Sequence, residues 1–170
     1  MPEVAYRVTL KGNPVALTGH EVQIGENAPD CTLVANDLSE VKLSSFKGKK
    51  IVLSVVPSLD TPVCDLQAKR FNKEAVKLGK DTVVLTISMD LPFAQKRWCG
   101  ATGSDKIRTL SDHRDAAFGS AYGVLIKGMR LLSRSIFIID ARGKIKYKQI
   151  VSEIASEPDY DEALAALAKS

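Results

Sequence analysis

The chain has 170 residues, 45% of them hydrophobic, enough for one globular domain over residues 1–170 with a buried core. Its 24 Lys and Arg are interspersed with 20 Asp and Glu, for a formal charge of +4, and the longest basic cluster, Phe46-Lys47-Gly48-Lys49-Lys50, reads as a solvated turn rather than a nucleic-acid patch. No segment reaches the roughly 18 uninterrupted apolar residues of a membrane span, Met1–Leu10 is broken by Glu3 and Arg7, and three scattered cysteines do not make a secreted disulfide scaffold. The expectation is an unexported protein of the cytoplasm with no membrane or nucleic-acid partner, in which any disulfide is working chemistry.

In chain order, residues 3–19 alternate apolar and polar side chains on both sides of Gly12-Asn13-Pro14, which predicts an N-terminal hairpin. The β-branched run KKIVLSVVPS, residues 49–58, predicts a central strand buried on both faces and ending at Pro57. A helix begins at or just before Cys64, with Leu66, Phe71, Ala75 and Leu78 at helical spacing and Gly79 where a cap would stand. Residues 82–89, TVVLTISM, predict a second buried strand, and residues 91–100, LPFAQKRWCG, a short helical or irregular piece. SDHRDAAFGSAYG, residues 111–123, reads as a helix ended by Gly123. Residues 135–151, SIFIIDARGKIKYKQIV, read as a hairpin turned at Ala141 to Gly143. A closing helix follows in EPDYDEALAALAK, residues 157–169, whose Pro158 and acidic first turn suit its N-terminus. Strand-helix-strand-helix followed by strand-strand-helix is compatible with an α/β thioredoxin-like sheet carrying an antiparallel pair.

The chemistry centres on Cys64. A cysteine is a strong nucleophile only as thiolate, and the first turn of a helix favours that form because free N–H groups and the positive dipole end point at the sulfur. Cys64 stands in such a turn, beyond the carboxyl end of a central strand, where open α/β sheets keep their ligands. Pro62 fixes φ before it, and Thr61 offers a hydroxyl near the sulfur. The competing reading is a small buried hydrophobe.

Pro57, Thr61 and Cys64 spell P-x-x-x-T-x-x-C, which resembles the active-site signature of peroxiredoxins. VPSLDTPVCDLQAKRFN, ISMDLPFAQKRWCG, LSDHRDAAFGSAYGV and VSEIASEPDYDEALAAL resemble stretches of the bacterial thiol peroxidase subfamily, and KGNPVALTG its added N-terminal hairpin, so the likeness covers nearly the whole chain. One segment, LIKGMRLLS between Val124 and Arg134, is shorter than in some members. The resemblance implies a thioredoxin-like fold, no metal or organic cofactor, and a hydroperoxide substrate attacked by Cys64. Pro57 would shield the sulfur, Thr61 would orient the peroxide, and Arg134, at the entrance to SIFIID, would stabilise the thiolate and transition state.

Attack on a peroxide leaves a sulfenic acid, which a second thiol can capture before further oxidation. By resemblance Cys99, 35 residues on in KRWCG, is that resolving thiol, on an adaptable, accessible segment; the alternative is a residue packed beside Trp98. Closing the bond needs Cα atoms within about 7 Å, so local unwinding and distinct reduced and oxidised conformers are expected. Cys31 matches neither role and is expected to be a dispensable residue packed near the base of a strand. The resemblance further implies thioredoxin as reductant and a homodimer.

Three other functions each lack a feature in this sequence. A thioredoxin-like thiol-disulfide exchanger should carry C-x-x-C, but Thr61 stands where its first cysteine would be. A cysteine hydrolase would need His20 or His113 as base, and each reads as an exposed loop or helix residue. A zinc or scaffold protein would need paired short spacings of Cys and His, which this sequence lacks.

Overall fold

Lys11 and Gly12, at φ 51° and 80°, form the two-residue turn joining β1 (Val8–Leu10) to β2 (Asn13–Val15) in the computed structural model, which describes residues 1–170. Two successive positive φ values match the twist of an antiparallel pair, and Gly12 adopts its value without a Cβ penalty. The hairpin therefore forms as its alternation predicts, with its turn one residue earlier than Gly12-Asn13-Pro14. Pro14 pairs with Thr9 inside a two-stranded sheet, where every strand is an edge and its missing donor is tolerated.

The chain then runs through β3 (Leu17–Thr18), β4 (Thr32–Val34), β5 (Glu40–Lys42), β6 (Lys50–Val55), α1 (Pro62–Ala75), β7 (Thr82–Ser88), α2 (Pro92–Thr102) and β8 (Arg108–Ser111). It continues through α3 (Ala117–Tyr122), β9 (Leu125–Ile126), β10 (Leu131–Leu132), β11 (Ser135–Ile139), β12 (Ile145–Ile150) and α4 (Tyr160–Lys169). The main sheet has seven strands in the order β12-β11-β6-β7-β8-β4-β5, with β6, β7 and β8 parallel and the outer pairs antiparallel. This is the thioredoxin-like α/β arrangement, and the expected β11–β12 hairpin lies at one edge of it.

Alternation along β6 sorts the core into two layers. Ile51, Leu53 and Val55 face a layer that includes Phe118 and Tyr122 of α3. Val52 and Val56 face the other, made by Cys64, Ala68 and Phe71 of α1, Trp98 of α2, and Ala163 and Leu167 of α4. Ser54 shares the second face, so a buried hydroxyl points toward α1.

Several boundaries differ from the sequence expectation. α1 starts at Pro62 but ends at Ala75, so Gly79 follows a turn rather than capping the helix. Leu66, expected on the packed face, is 51% exposed, because the buried positions are Cys64, Gln67, Ala68 and Phe71. LPFAQKRWCG is a true helix extending to Thr102. In SDHRDAAFGSAYG, Ser111 closes β8 and helix begins only at Ala117; Gly123 does end it, at φ 67°, where a Cβ would lie 2.7 Å from the His20 carbonyl oxygen. The LIKGMRLLS segment folds as the β9–β10 hairpin, which pairs with β3. α4 forms in the expected segment but begins only at Tyr160, leaving Pro158 before the cap, where Asp159 accepts from the Glu162 N–H at 2.9 Å. No helix is long and apolar enough to cross a membrane.

Candidate active site

The main-chain ladder of β6 runs out at Val56, whose N–H donates to Ile87 O at 3.0 Å, and the chain turns through Pro57–Thr61 into α1. Inside that turn Thr61 closes on Ser58 twice, with its N–H at 3.2 Å and its hydroxyl at 2.9 Å from the Ser58 carbonyl oxygen. The first ladder bond at the start of α1 runs from the Asp65 N–H to Thr61 O, 3.0 Å, so the N–H groups of Val63 and Cys64 lie outside the helical ladder. Cys64, in the first turn as the sequence predicts, is wholly buried.

Arg134, immediately before β11, reaches this sulfur from the far side of the sheet sequence. Its Nη2 donates to Cys64 Sγ at 3.3 Å, its Nη1 to Gln67 Oε1 at 2.9 Å, and its Nε to Ile154 O at 2.7 Å. The side chain is 2% exposed and pairs with no carboxylate. A buried cation without a carboxylate is costly unless something nearby carries negative charge. Cys64 is the one acidic group within hydrogen-bonding distance of the guanidinium. The guanidinium thus faces the sulfur directly, with a donor aimed at the atom that would act as nucleophile.

Gln67 is a member of this centre that the sequence reading did not single out. Its Oε1 receives Arg134 while its Nε2 donates to Ser54 Oγ at 2.9 Å and Val55 O at 3.4 Å, so the amide fixes the guanidinium against β6. The available signal was a polar residue three positions after Cys64, on the same helical face as Ala68 and Phe71.

The other expected residues distribute as follows. Pro57 is half-buried beside the turn, and Thr61 is exposed, with its hydroxyl committed to Ser58 O rather than directed at the sulfur. Cys99 lies within α2, the helical of the two expected alternatives, and is half-buried rather than freely accessible: its Sγ is 3.6 Å from Thr109 Oγ1, and it packs against the core layer containing Cys64. All three cysteines are free thiols. Cys31 precedes β4 in the opposite core layer, where burial, aided by the Asp112 and Asp30 charges, pushes its thiol well up and keeps it protonated. His20 pairs with Glu26 at 3.0 Å and His113 with Ser111 Oγ at 2.9 Å; neither reaches Cys64.

This geometry has close parallels. A family model described as Redoxin matches residues 23–164. The thiol peroxidase of Bacillus subtilis strain 168 is 56% identical over 159 residues, spanning 94% of this chain and 95% of its own. That of Oceanobacillus iheyensis is 55% identical over 162 residues, 95% of this chain and 98% of its own. Among solved structures, a peroxiredoxin-like protein from Aquifex aeolicus superposes with a TM-score of 0.91 at 42% identity, covering 97% of each chain. A thiol peroxidase from Chromobacterium violaceum shares the fold, with a TM-score of 0.87 at 21% identity over 98% of this chain and 97% of its own. Matched along nearly its full length by proteins that share more than half its residues, the chain belongs to the redoxin family, as a peroxiredoxin-type thiol peroxidase with a thioredoxin-like fold.

Proposed function

We propose that the chain reduces hydrogen peroxide and organic hydroperoxides through Cys64 and Cys99, with thioredoxin as the external reductant. The observation that carries this reading is the buried Arg134 guanidinium, unpaired by any carboxylate and donating to Cys64 Sγ at 3.3 Å. The Cys64 thiolate attacks one peroxide oxygen, the O–O bond breaks, and the departing alkoxide or hydroxide takes up a proton. Cys64 is left as a sulfenic acid. Arg134 faces both the attacking sulfur and the charge that develops on the peroxide, so its donors act where the transition state needs them. Pro57 and Thr61 border the turn through which a peroxide would enter, with Pro57 shielding the sulfur; the Thr61 hydroxyl donates to Ser58 O in the resting turn, and its role in orienting the substrate requires that it turn from that carbonyl to the peroxide.

The Cys99 thiol then attacks the Cys64 sulfenic sulfur, an S–S bond forms, and the hydroxyl leaves as water with the thiol proton. Thioredoxin reduces that disulfide by exchange, its own dithiol becoming a disulfide. Support for Cys99 in this role is its contact with the same core layer as Cys64, together with the resemblance of the KRWCG stretch to the thiol peroxidase subfamily. Exposed apolar side chains on both thiol-bearing helices, Leu66 and Phe93, are suited to contact with a protein reductant. A homodimer located in the cytoplasm completes the reading and rests on the family likeness alone; sedimentation of the purified chain tests the dimer.

The decisive experiment is peroxide consumption coupled to thioredoxin, with wild type beside Cys64→Ser, Cys99→Ser and Cys31→Ser. Turnover should vanish in the first two and persist in the third. Full turnover by Cys99→Ser would assign resolution to another thiol. A wild type that consumes no peroxide but exchanges disulfides in a test protein would replace this reading with that of an exchanger.

A further inference from the structure

Asp90 lies in the connection from β7 to α2, two residues past the end of the strand and two before the helix that carries Cys99. Its Oδ1 accepts the Ser58 hydroxyl at 2.6 Å, and its Oδ2 accepts the Leu59 N–H at 2.8 Å and the Ser88 hydroxyl at 2.7 Å. Ser88 is fully buried and is itself held by Gln95 Nε2 at 3.0 Å, which also donates to Leu110 O at 3.0 Å. The Asp90 carbonyl oxygen in turn accepts from the Ser111 hydroxyl. The carboxylate has no cation partner, so its charge is satisfied by these neutral donors alone.

Every other hydrogen bond made by residues 58–61 stays within the turn or α1, except the exposed Arg97–Asp60 pair at 3.3 Å, which solvent screens. Asp90 is thus the one half-buried polar tie between the Cys64 turn and the rest of the fold. It is also the point from which α2 departs toward Cys99. Trp98, next to Cys99, adds a second link by donating its indole N–H to Asp65 of α1 at 2.8 Å.

We propose that Asp90 is a positioning residue that latches the Pro57–Thr61 turn in its peroxide-reactive form and ties release of that turn to release of α2. When the carboxylate holds Ser58 and Leu59, α1 keeps its first turn and Cys64 stays against Arg134. When it lets go, the Cys64 turn and the α2 N-terminus are freed together. The second half of this proposal rests on the two-cysteine reading; the first does not.

The test separates the two halves. In a Cys99→Ser background, single-turnover oxidation by hydrogen peroxide is followed through Trp98, the single tryptophan of the chain, with and without Asp90→Asn. The Asn amide replaces an acceptor by a donor facing donors, and the rate constant for Cys64 oxidation should fall about tenfold. In the two-cysteine chain cycling with thioredoxin, Asp90→Asn should also lower the fraction of enzyme inactivated by peroxide per turnover, about fivefold, because an unlatched turn spends less time exposed to a second peroxide. A merely structural role would lower thermal stability and leave that fraction unchanged. Ser58→Ala removes one latch bond and should move both readouts the same way by less, and it carries the test if Asp90→Asn does not fold. An oxidation rate at or above the parent's, or an unchanged inactivation per turnover, overturns the latch. Undiminished thioredoxin-dependent turnover in Cys99→Ser would instead overturn the two-cysteine reading, while the oxidation rate in that background still judges Asp90.

Discussion

The Arg134 guanidinium and the Cys64 sulfur, 70 positions apart in sequence, meet at 3.3 Å with both side chains removed from solvent. The contact joins the start of β11 to the first turn of α1 across the central strand β6. The role proposed for Arg134 is separable from stability, since a buried cation of this kind contributes little to folding compared with an apolar residue of similar size. Arg134→Met should lower the rate constant for peroxide reduction by about 100-fold or more. Its thermal midpoint should stay near or above that of wild type. Stopped-flow oxidation beside a melting curve reads both, and a parallel loss of stability and activity would count against the assignment.

Gln67 offers a second separation. Gln67→Ala leaves Arg134 Nη1 and the Ser54 hydroxyl without their partner in a region closed to water, which costs about 1–3 kcal/mol of stability. The guanidinium is then held only by Ile154 O and the sulfur, so peroxide reduction should slow by about tenfold. Urea unfolding and peroxide kinetics on one preparation measure the two effects. Gln67→Glu should retain the Arg134 contact but draw the guanidinium's charge away from Cys64, so its activity should fall further than its stability.

The elements that read clearly from sequence are those whose signal is local. KKIVLSVVPS declares β6 by its β-branched run, Pro62 and Cys64 mark the start of α1, and Pro158 with the acids that follow marks α4. What stayed hidden depends on long-range pairing. β4 and β5 are three residues each, and β3, β9 and β10 only two, too short for any period; β3 pairs with β9 and β4 with β8 far along the chain, while β5 and β10 add locally to β4 and β9. The same divide runs through the active site. Cys64 was legible because its helix start and motif lie within eight residues, from Pro57 to Cys64. The burial of Arg134, the amide that holds it and the carboxylate that grips Ser58 come from β11, α1 and the connection after β7, and no sequence spacing records that they converge.

Asp112 predicts a pH dependence unrelated to catalysis. It is 2% exposed, and burial raises its carboxyl from the ordinary 3.8 to about 6 despite the Gly119 and Phe118 N–H groups that it accepts at 2.9 Å. At pH 5 the folded chain holds this proton while the unfolded chain has lost most of it. The group's contribution to stability is therefore whole below about pH 4 and is lost as the pH rises through 6, a change of about 2 kcal/mol. The stability difference between wild type and Asp112→Asn should shrink by that amount between pH 4 and pH 7 in urea titrations. A difference that is constant or grows would mean that the charged form is favoured in the fold.

Cys31 should be chemically silent. It is 9% exposed in the layer opposite Cys64, and burial together with two nearby carboxylates opposes its ionisation. In the Cys64→Ser, Cys99→Ser double variant, native protein should take up iodoacetamide only when denatured. Cys31→Ala should keep full peroxidase turnover and lose about 1 kcal/mol of stability, as expected for a small buried side chain that leaves little space behind.

Oxidation should unwind what reduction keeps helical. Cys64 sits in the first turn of α1 with its sulfur bonded to Arg134, and Cys99 sits well inside α2 with its sulfur against Thr109. The two thiols thus have separate partners on separate helices. A disulfide holds its Cα atoms within about 7 Å in a narrow dihedral range, which two intact helix segments packed on a sheet rarely satisfy. On the proposed cycle, closing the bond withdraws Cys64 from Arg134 and Cys99 from Thr109, and the ladder bonds around each are lost. Hydrogen exchange should therefore quicken on oxidation at the amides of residues 62–68 and 95–102, while β6, β7 and β11 keep their protection. Equal protection of both helices in the reduced and disulfide forms would mean that the bond closes without unwinding, and that reorientation of intact helices brings the sulfurs together.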